Sequence, residues 1–192
     1  AEEVAKGKPT AITLASENIQ ERSGLASIMS SSLFRVYTSN DIVGVQLGGA
    51  FKNIIAIAAG ASDALSLGAN ARTALITRGL EEMKSIGVSF GAKPETFFGL
   101  SGLGDLVLTS TDNQSRNRRL GLLIGSGMSP DKAIEELGTT PEGVYTVKAL
   151  YNKQALQEGL PIANAVYSIL FEGVPAESLV NKLMTRPLKE EF

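Results

Sequence analysis

Four stretches of this sequence carry side chains suited to chemistry. The first is GGAFKNIIAIAAG, where Lys52 stands alone in an apolar run with Asn53 beside it. Two readings of Lys52 are open. A lysine there can snorkel, laying its stem on apolar surface and its ammonium in water. Held at a cleft instead, the ammonium can give a proton to a carbonyl oxygen or take one back. The second stretch is GLSGLGDL, residues 99 to 106. It reads either as a tight turn between helices or as a loop that presents Asp105 to a pocket beside Lys52. A carboxylate there can accept a hydrogen bond from a substrate hydroxyl and steady the ammonium. Its glycines do not form a GxGxxG fingerprint, and neither that motif nor a P-loop occurs anywhere in the chain.

The third stretch is TDNQSRNRR, residues 111 to 119. Ser115 reads as the N-cap of a following helix. Free N–H groups and the positive dipole end at such a terminus suit a phosphate, and the Arg116 guanidinium adds a two-pronged donor. The plainer reading is a solvated basic helix face. The fourth is TTPEGVYT, residues 139 to 146, which reads as a helix start with Thr140 as N-cap, Pro141 in the first position and Glu142 in the first turn.

The chemistry is bounded by what is missing. The chain has no His and no Cys. No serine–histidine pair, thiolate nucleophile, disulfide or Cys- or His-ligated metal can be built, and no metal site is expected. Acid–base work falls to Lys, Asp, Glu or Tyr. Lys and Arg total 18 against 20 Asp and Glu, a net charge of −2, which gives no reason to expect nucleic acid or anionic lipid as a partner. The most apolar stretch, Ile54 to Ala61, is far short of the roughly 20 residues a spanning helix needs. No membrane insertion is expected, and a cytoplasmic location fits. The N-terminus lacks Met and the apolar core of a signal peptide, so a processed or truncated chain is expected.

Elements must position these groups. Residues 9 to 16 and 34 to 39 alternate as strands, and residues 17 to 31 read as a helix with Ser16 as N-cap and Ile19, Leu25, Ile28 and Met29 inward. Two strands make a poor sheet, so this piece reads as the edge of a larger one. After Asn40 the pattern turns helical. Residues 41 to 66 are apolar nearly all round and predict a central buried helix, whose glycines 44, 48, 49 and 60 imply close approach of neighbouring backbone. Further helices are expected at 70–87 with Gly87 as its stop, 94–98, 116–126, 130–137, 142–158, 162–172 and 175–184, and no strand beyond residue 41.

The four stretches, with the long runs GVQLGGAFKNIIAIAAGASDALSLGANARTALITRGLEEM and GLSGLGDLVLTST, then SRNRRLG and PEGVYTVKAL, resemble the soluble bacterial type of NAD(P)-dependent glycerol-3-phosphate dehydrogenase over essentially the whole chain. The resemblance implies a mainly α fold. Residues 1–40 would be the C-terminal remnant of a Rossmann-like dinucleotide-binding domain, and residues 41–192 an all-helical substrate domain. It implies reversible reduction of dihydroxyacetone phosphate to sn-glycerol 3-phosphate with NAD or NADP as cofactor, in phospholipid precursor synthesis, by a homodimer. Carried onto this sequence, Lys52 is the catalytic acid/base. Lys52, Asp105, Thr109, Ser115, Arg116 and Asn117 bind substrate, and Ala1, Arg116, Thr140 and Glu142 meet the cofactor. The family often has Cys where this chain has Ser110. Without the glycine fingerprint, these 192 residues alone are expected to be inactive.

Two other classes stay open. The helical part could bind a phosphorylated metabolite or a partner subunit without catalysis. It could also bind RNA through Arg116, Arg118 and Arg119.

Overall fold

The computed structural model describes residues 2–153 and 159–178. Helix α1 (Glu2–Ala5) leads into strand β1 (Thr10–Ala15), helix α2 (Ile19–Met29) and strand β2 (Phe34–Ser39). The strands pair in parallel, from Thr10 opposite Phe34 to Ala15 opposite Ser39. This is the expected strand–helix–strand piece. Two details differ. The N-cap of α2 is Asn18, whose Oδ1 accepts from the N–H groups of Gln20 and Glu21, while Ser16 Oγ accepts from the N–H of Asn18 itself. The apolar side chains of α2 are not inward: Ile19 is 63% and Ile28 82% exposed, and Leu25 and Met29 are exposed as well. A sheet of two strands is too narrow to cover a helix face, and on this piece only Val36 is buried among the apolar side chains.

The centre of the molecule is α3 (Ile42–Ala64). It is long and apolar enough to cross a membrane by length and composition, which the short run Ile54 to Ala61 does not suggest. Its surroundings give it another use. Helices α4 (Gly68–Ser89), α5 (Asp105–Thr111), α6 (Arg116–Gly125), α8 (Glu142–Asn152) and α9 (Pro161–Phe171) pack around it, with α7 (Pro130–Leu137) behind α6. Phe51, Ile54, Ile55 and Ile57 are essentially sealed from solvent, with Met83 and Phe97 closing the core from α4 and the turn after it. Helix α6 comes closest. A Cβ on Gly60 would lie 2.1 Å from the Arg118 carbonyl oxygen, and one on Gly121 2.0 Å from that of Ile57. Glycine at these positions costs about 1 kcal/mol each in helix propensity. The backbone contact at Gly60 is what the sequence pattern anticipated.

Three boundaries differ from expectation. Helix α4 runs through Gly87, because Phe97 packs its ring on that glycine, where a Cβ would fall 2.0 Å from Cζ. The chain turns instead at Gly91, with φ +87°, and the Ala92 N–H reaches back to the Gly87 carbonyl at 2.9 Å. The glycine-rich stretch is not a loop. It is a π-helical turn, Leu100–Gly104, running straight into α5. Helix α8 begins at Glu142 with Pro141, not Thr140, in the cap position. Among the described residues no strand follows β2. The expected helix at 175–184 is described only to Ser178, and the end of the one at 142–158 lies outside the described residues after Lys153.

The junction between the strand piece and α3 is Asp41. It is buried, and its carboxylate accepts from the Gly44 N–H (2.8 Å), the Lys93 N–H (2.9 Å) and the Thr96 hydroxyl (2.6 Å). Burial pushes its pKa up, but these hydrogen bonds and the Lys93 charge outweigh burial and hold it below the ordinary 3.8. A lowered folded pKa stabilises above the unfolded value, and that contribution is lost as pH falls through the folded one. Asp41→Asn should therefore cost about 2 kcal/mol at neutral pH. In urea denaturation, the gap from the parent should close as the medium is acidified below 3.8.

Candidate functional site

Lys52 and Asn53 are neighbours on α3, about 100° apart around its axis. Lys52 does not snorkel. Its Nζ donates to Asp105 Oδ2 at 2.5 Å, and the two side chains are only 19% and 35% exposed. Asp105 is the first residue of α5, where the π-helical turn passes into α-helix. The π-helical turn before it lies against α3 so closely that a Cβ on Gly48 would sit 2.4 Å from the Ser101 carbonyl oxygen. One turn along α5, the Thr109 hydroxyl donates to the other carboxylate oxygen, Oδ1, at 3.3 Å. Both oxygens of Asp105 are thus engaged, and the ammonium of Lys52 is held at a fixed point.

Asn53 is buried and acts as a junction. Its Nδ2 donates to Glu142 Oε2 and to the Gly49 carbonyl, each at 3.2 Å. Its Oδ1 accepts from Asn117 Nδ2 at 2.9 Å, and Asn117 Oδ1 accepts from the Gly143 N–H at 2.8 Å. One chain of amides therefore ties α3 to the N-terminal turns of α6 and α8. Asn117, expected to contact substrate, spends both ends of its amide in this chain. Ser115 caps α6 as expected, its Oγ accepting from the Arg118 N–H at 3.2 Å. Arg116 is exposed beside it and has no polar partner among the described residues.

A second cluster sits further along α3. Asp63 binds Arg72 Nη1 (2.8 and 3.0 Å) and Arg118 Nη1 (2.6 Å). Arg118 is buried and also donates from Nε to Asn113 Oδ1 and from Nη1 to the Ser110 carbonyl. It locks the loop before α6 to the end of α5. Arg116, Arg118 and Arg119 therefore do not share one exposed basic face, which removes the basis of the RNA reading. Ser110 is fully buried, with no partner for its hydroxyl among the described residues, an environment that suits a thiol as well.

The structure thus joins Lys52, Asp105 and Thr109 in one group and Asn117 and Glu142 in another, linked through Asn53 next to Lys52. Thr140 takes no part in either, and Ala1 lies outside the described residues. A cavity of about 390 Å3 lined by Thr13, Tyr37, Ser39, Thr96, Leu100 and Ser101 is elsewhere, between the strands and the turn before Asp105, and includes none of the expected residues. Sequence reasoning gave no role to Asn53 or to Asp63. The signal was available, since both are polar side chains inside an apolar helix. Removing one partner of the buried ion pair leaves Arg118 uncompensated, so Asp63→Ala should destabilise by about 3 kcal/mol, read as a lowered thermal unfolding midpoint.

Residues 41–181 match the family described as NAD-dependent glycerol-3-phosphate dehydrogenase C-terminus. The whole chain aligns with glycerol-3-phosphate dehydrogenase [NAD(P)+] of Mannheimia succiniciproducens at 53% identity, covering 58% of that protein. The Vibrio parahaemolyticus protein of the same name is 51% identical, again over the whole chain and 56% of its own length. A crystal structure of the Coxiella burnetii glycerol-3-phosphate dehydrogenase superposes with a TM-score of 0.89 at 48% identity, over 96% of this chain and 57% of that one. The chain spans just over half the length of these relatives.

Proposed function

Because this chain belongs to the family of NAD-dependent glycerol-3-phosphate dehydrogenase C-termini, we propose that it forms the substrate half of an enzyme that reversibly reduces dihydroxyacetone phosphate to sn-glycerol 3-phosphate. The observation that carries this reading is the Lys52–Asp105 pair, a half-buried ammonium held at 2.5 Å by a carboxylate whose second oxygen is also bound. Residues 41–192 are then the substrate domain and residues 1–40 the end of a nucleotide-binding domain. In support, the family match begins at residue 41, where the strand piece gives way to α3.

The residues present suit the nicotinamide end of NAD(P)H. Glu142 is exposed at the start of α8, and with Oε2 held by Asn53 it can accept from an amide or hydroxyl. When bound, NAD(P)H supplies a hydride to the central carbon. Lys52 does the rest at the oxygen. As the carbonyl carbon gains the hydride, negative charge builds on oxygen, the nearby ammonium stabilises it, and Nζ then delivers the proton. Asp105 holds Nζ in place and accepts from a substrate hydroxyl, with Thr109 fixing the carboxylate. At the other end of the substrate, the exposed Arg116 and the Ser115-capped N-terminus of α6 take the phosphate. Phosphate binding holds the carbonyl against Lys52 without itself taking part in the chemistry. A homodimer, a cytoplasmic setting and a role in making phospholipid precursors complete this reading by family resemblance. The isolated 192 residues, lacking GxGxxG, should not turn over.

In the intact protein, Lys52→Ala should lower kcat by about 100-fold or more with little change in substrate binding. Near-parental turnover would overturn the assignment and favour a binding module for a phosphorylated metabolite. Arg116→Ala should act differently, raising KM for dihydroxyacetone phosphate about tenfold, because its contact is with the phosphate. Steady-state kinetics at saturating NADH and NADPH separate the two effects.

A further inference from the structure

Three of the four glycines singled out in α3 have a packing reason. A Cβ on Gly44 would fall 2.1 Å from Asp41 Oδ2, on Gly48 2.4 Å from the Ser101 carbonyl oxygen, and on Gly60 2.1 Å from the Arg118 carbonyl oxygen. Gly49 has none. A Cβ there would meet nothing within 4 Å, and the backbone is ordinary helix without a positive φ. The residue is only partly buried, in the interior of a helix, where glycine is the costliest choice short of proline.

Its place on the helix is informative. Gly49 precedes Lys52 by three residues and Asn53 by four, so all three share a face. Its carbonyl accepts from Asn53 Nδ2 at 3.2 Å. Cα–Cβ bonds tilt toward the helix N-terminus, so a side chain at 49 would rise from the turn over which Lys52 and Asn53 lie. The open volume over Gly49 therefore lies on the helix face that carries Lys52 and Asn53, with a Cβ at 49 more than 4 Å from either side chain.

We propose that Gly49 is a specificity-determining residue, a bare stretch of helix backbone against which the carbon chain of the substrate lies while Lys52 faces its carbonyl oxygen. This rests on the dehydrogenase reading above. The missing side chain sets how large a group Lys52 can reach, so a methyl at this point competes with the substrate for space and leaves the fold untouched. Gly48, one residue earlier, supplies the contrast, because there a methyl collides with the backbone of the turn before Asp105 and so costs stability.

The test compares the intact parent protein with Gly49→Ala, Gly49→Val and Gly48→Ala, each assayed for turnover of dihydroxyacetone phosphate and for thermal unfolding. Gly49→Ala should raise the unfolding midpoint by about 2 °C while lowering kcat/KM about tenfold or more, with Gly49→Val lower again in activity. Gly48→Ala should lower the midpoint. Opposite signs in stability and activity at position 49 cannot come from a structural role. Unchanged kcat/KM in Gly49→Ala and Gly49→Val would overturn the inference and leave the Lys52 assignment standing. A fall in the midpoint of Gly49→Ala together with its activity would also overturn it, since the glycine would then serve packing. A folded parent that does not turn over dihydroxyacetone phosphate would refute the dehydrogenase reading, and the inference with it.

Discussion

Helix α3 is surrounded by five other helices, so its charged and amide side chains on the packed faces need partners inside the protein. A buried polar group without one costs several kcal/mol, on the order of the whole net stability of a domain. Four such side chains lie at its start and along it, and each recruits a different part of the chain, while the buried Ser62 hydroxyl has no partner among the described residues. Asp41 at its start collects Gly44, Lys93 and Thr96. Lys52 collects Asp105, Asn53 collects Asn117 and Glu142, and Asp63 near its end collects Arg72 and Arg118. The apolar side chains of α3 supply the driving force for assembly. Its polar ones specify which turn of which neighbour arrives where.

That arrangement also explains why the middle of α3 is suited to chemistry. The ammonium of Lys52 belongs to a closely packed helix, because glycines bring α6 into backbone contact on one side and the π-helical turn into contact on the other. The carboxylate that binds it comes from a helix start fused to that same turn. An ammonium held this way needs little reorganisation when negative charge develops beside it. The buried Arg118 extends the same principle to the start of α6. Being tied to Asp63, Asn113 and the Ser110 carbonyl, it fixes the loop and first turn on which Ser115 and Arg116 stand.

The parts that departed from sequence expectation share a cause. The glycine run at 99–104 looks like a loop because glycine is a poor helix former, yet here it winds because Gly48 and Phe97 leave room only for backbone. Gly87 looks like a helix stop and is instead a seat for the Phe97 ring. The inward face expected for α2 stays exposed because two strands offer too little surface to cover it. In each case local propensity was read correctly and a partner distant in sequence, or its absence beside α2, reversed its consequence.

The sequence by itself determined the helical character of residues 41 onward, the central place of α3, the strand–helix–strand opening and the cap at Ser115, since these follow from periodicity and from side chains acting on their own neighbours. It also marked Lys52 as unusual, a lone charge in an apolar run. It did not determine that Asn53 would be the junction of three helices, that Asn117 would spend its amide on that junction, or that Arg118 would turn inward while Arg116 stayed out. Those outcomes depend on which helix faces meet at a spacing of 53 to 89 residues along the chain. Only the packed tertiary structure decides them, because burial, which makes an unpaired polar group costly, does not exist until the helices have come together.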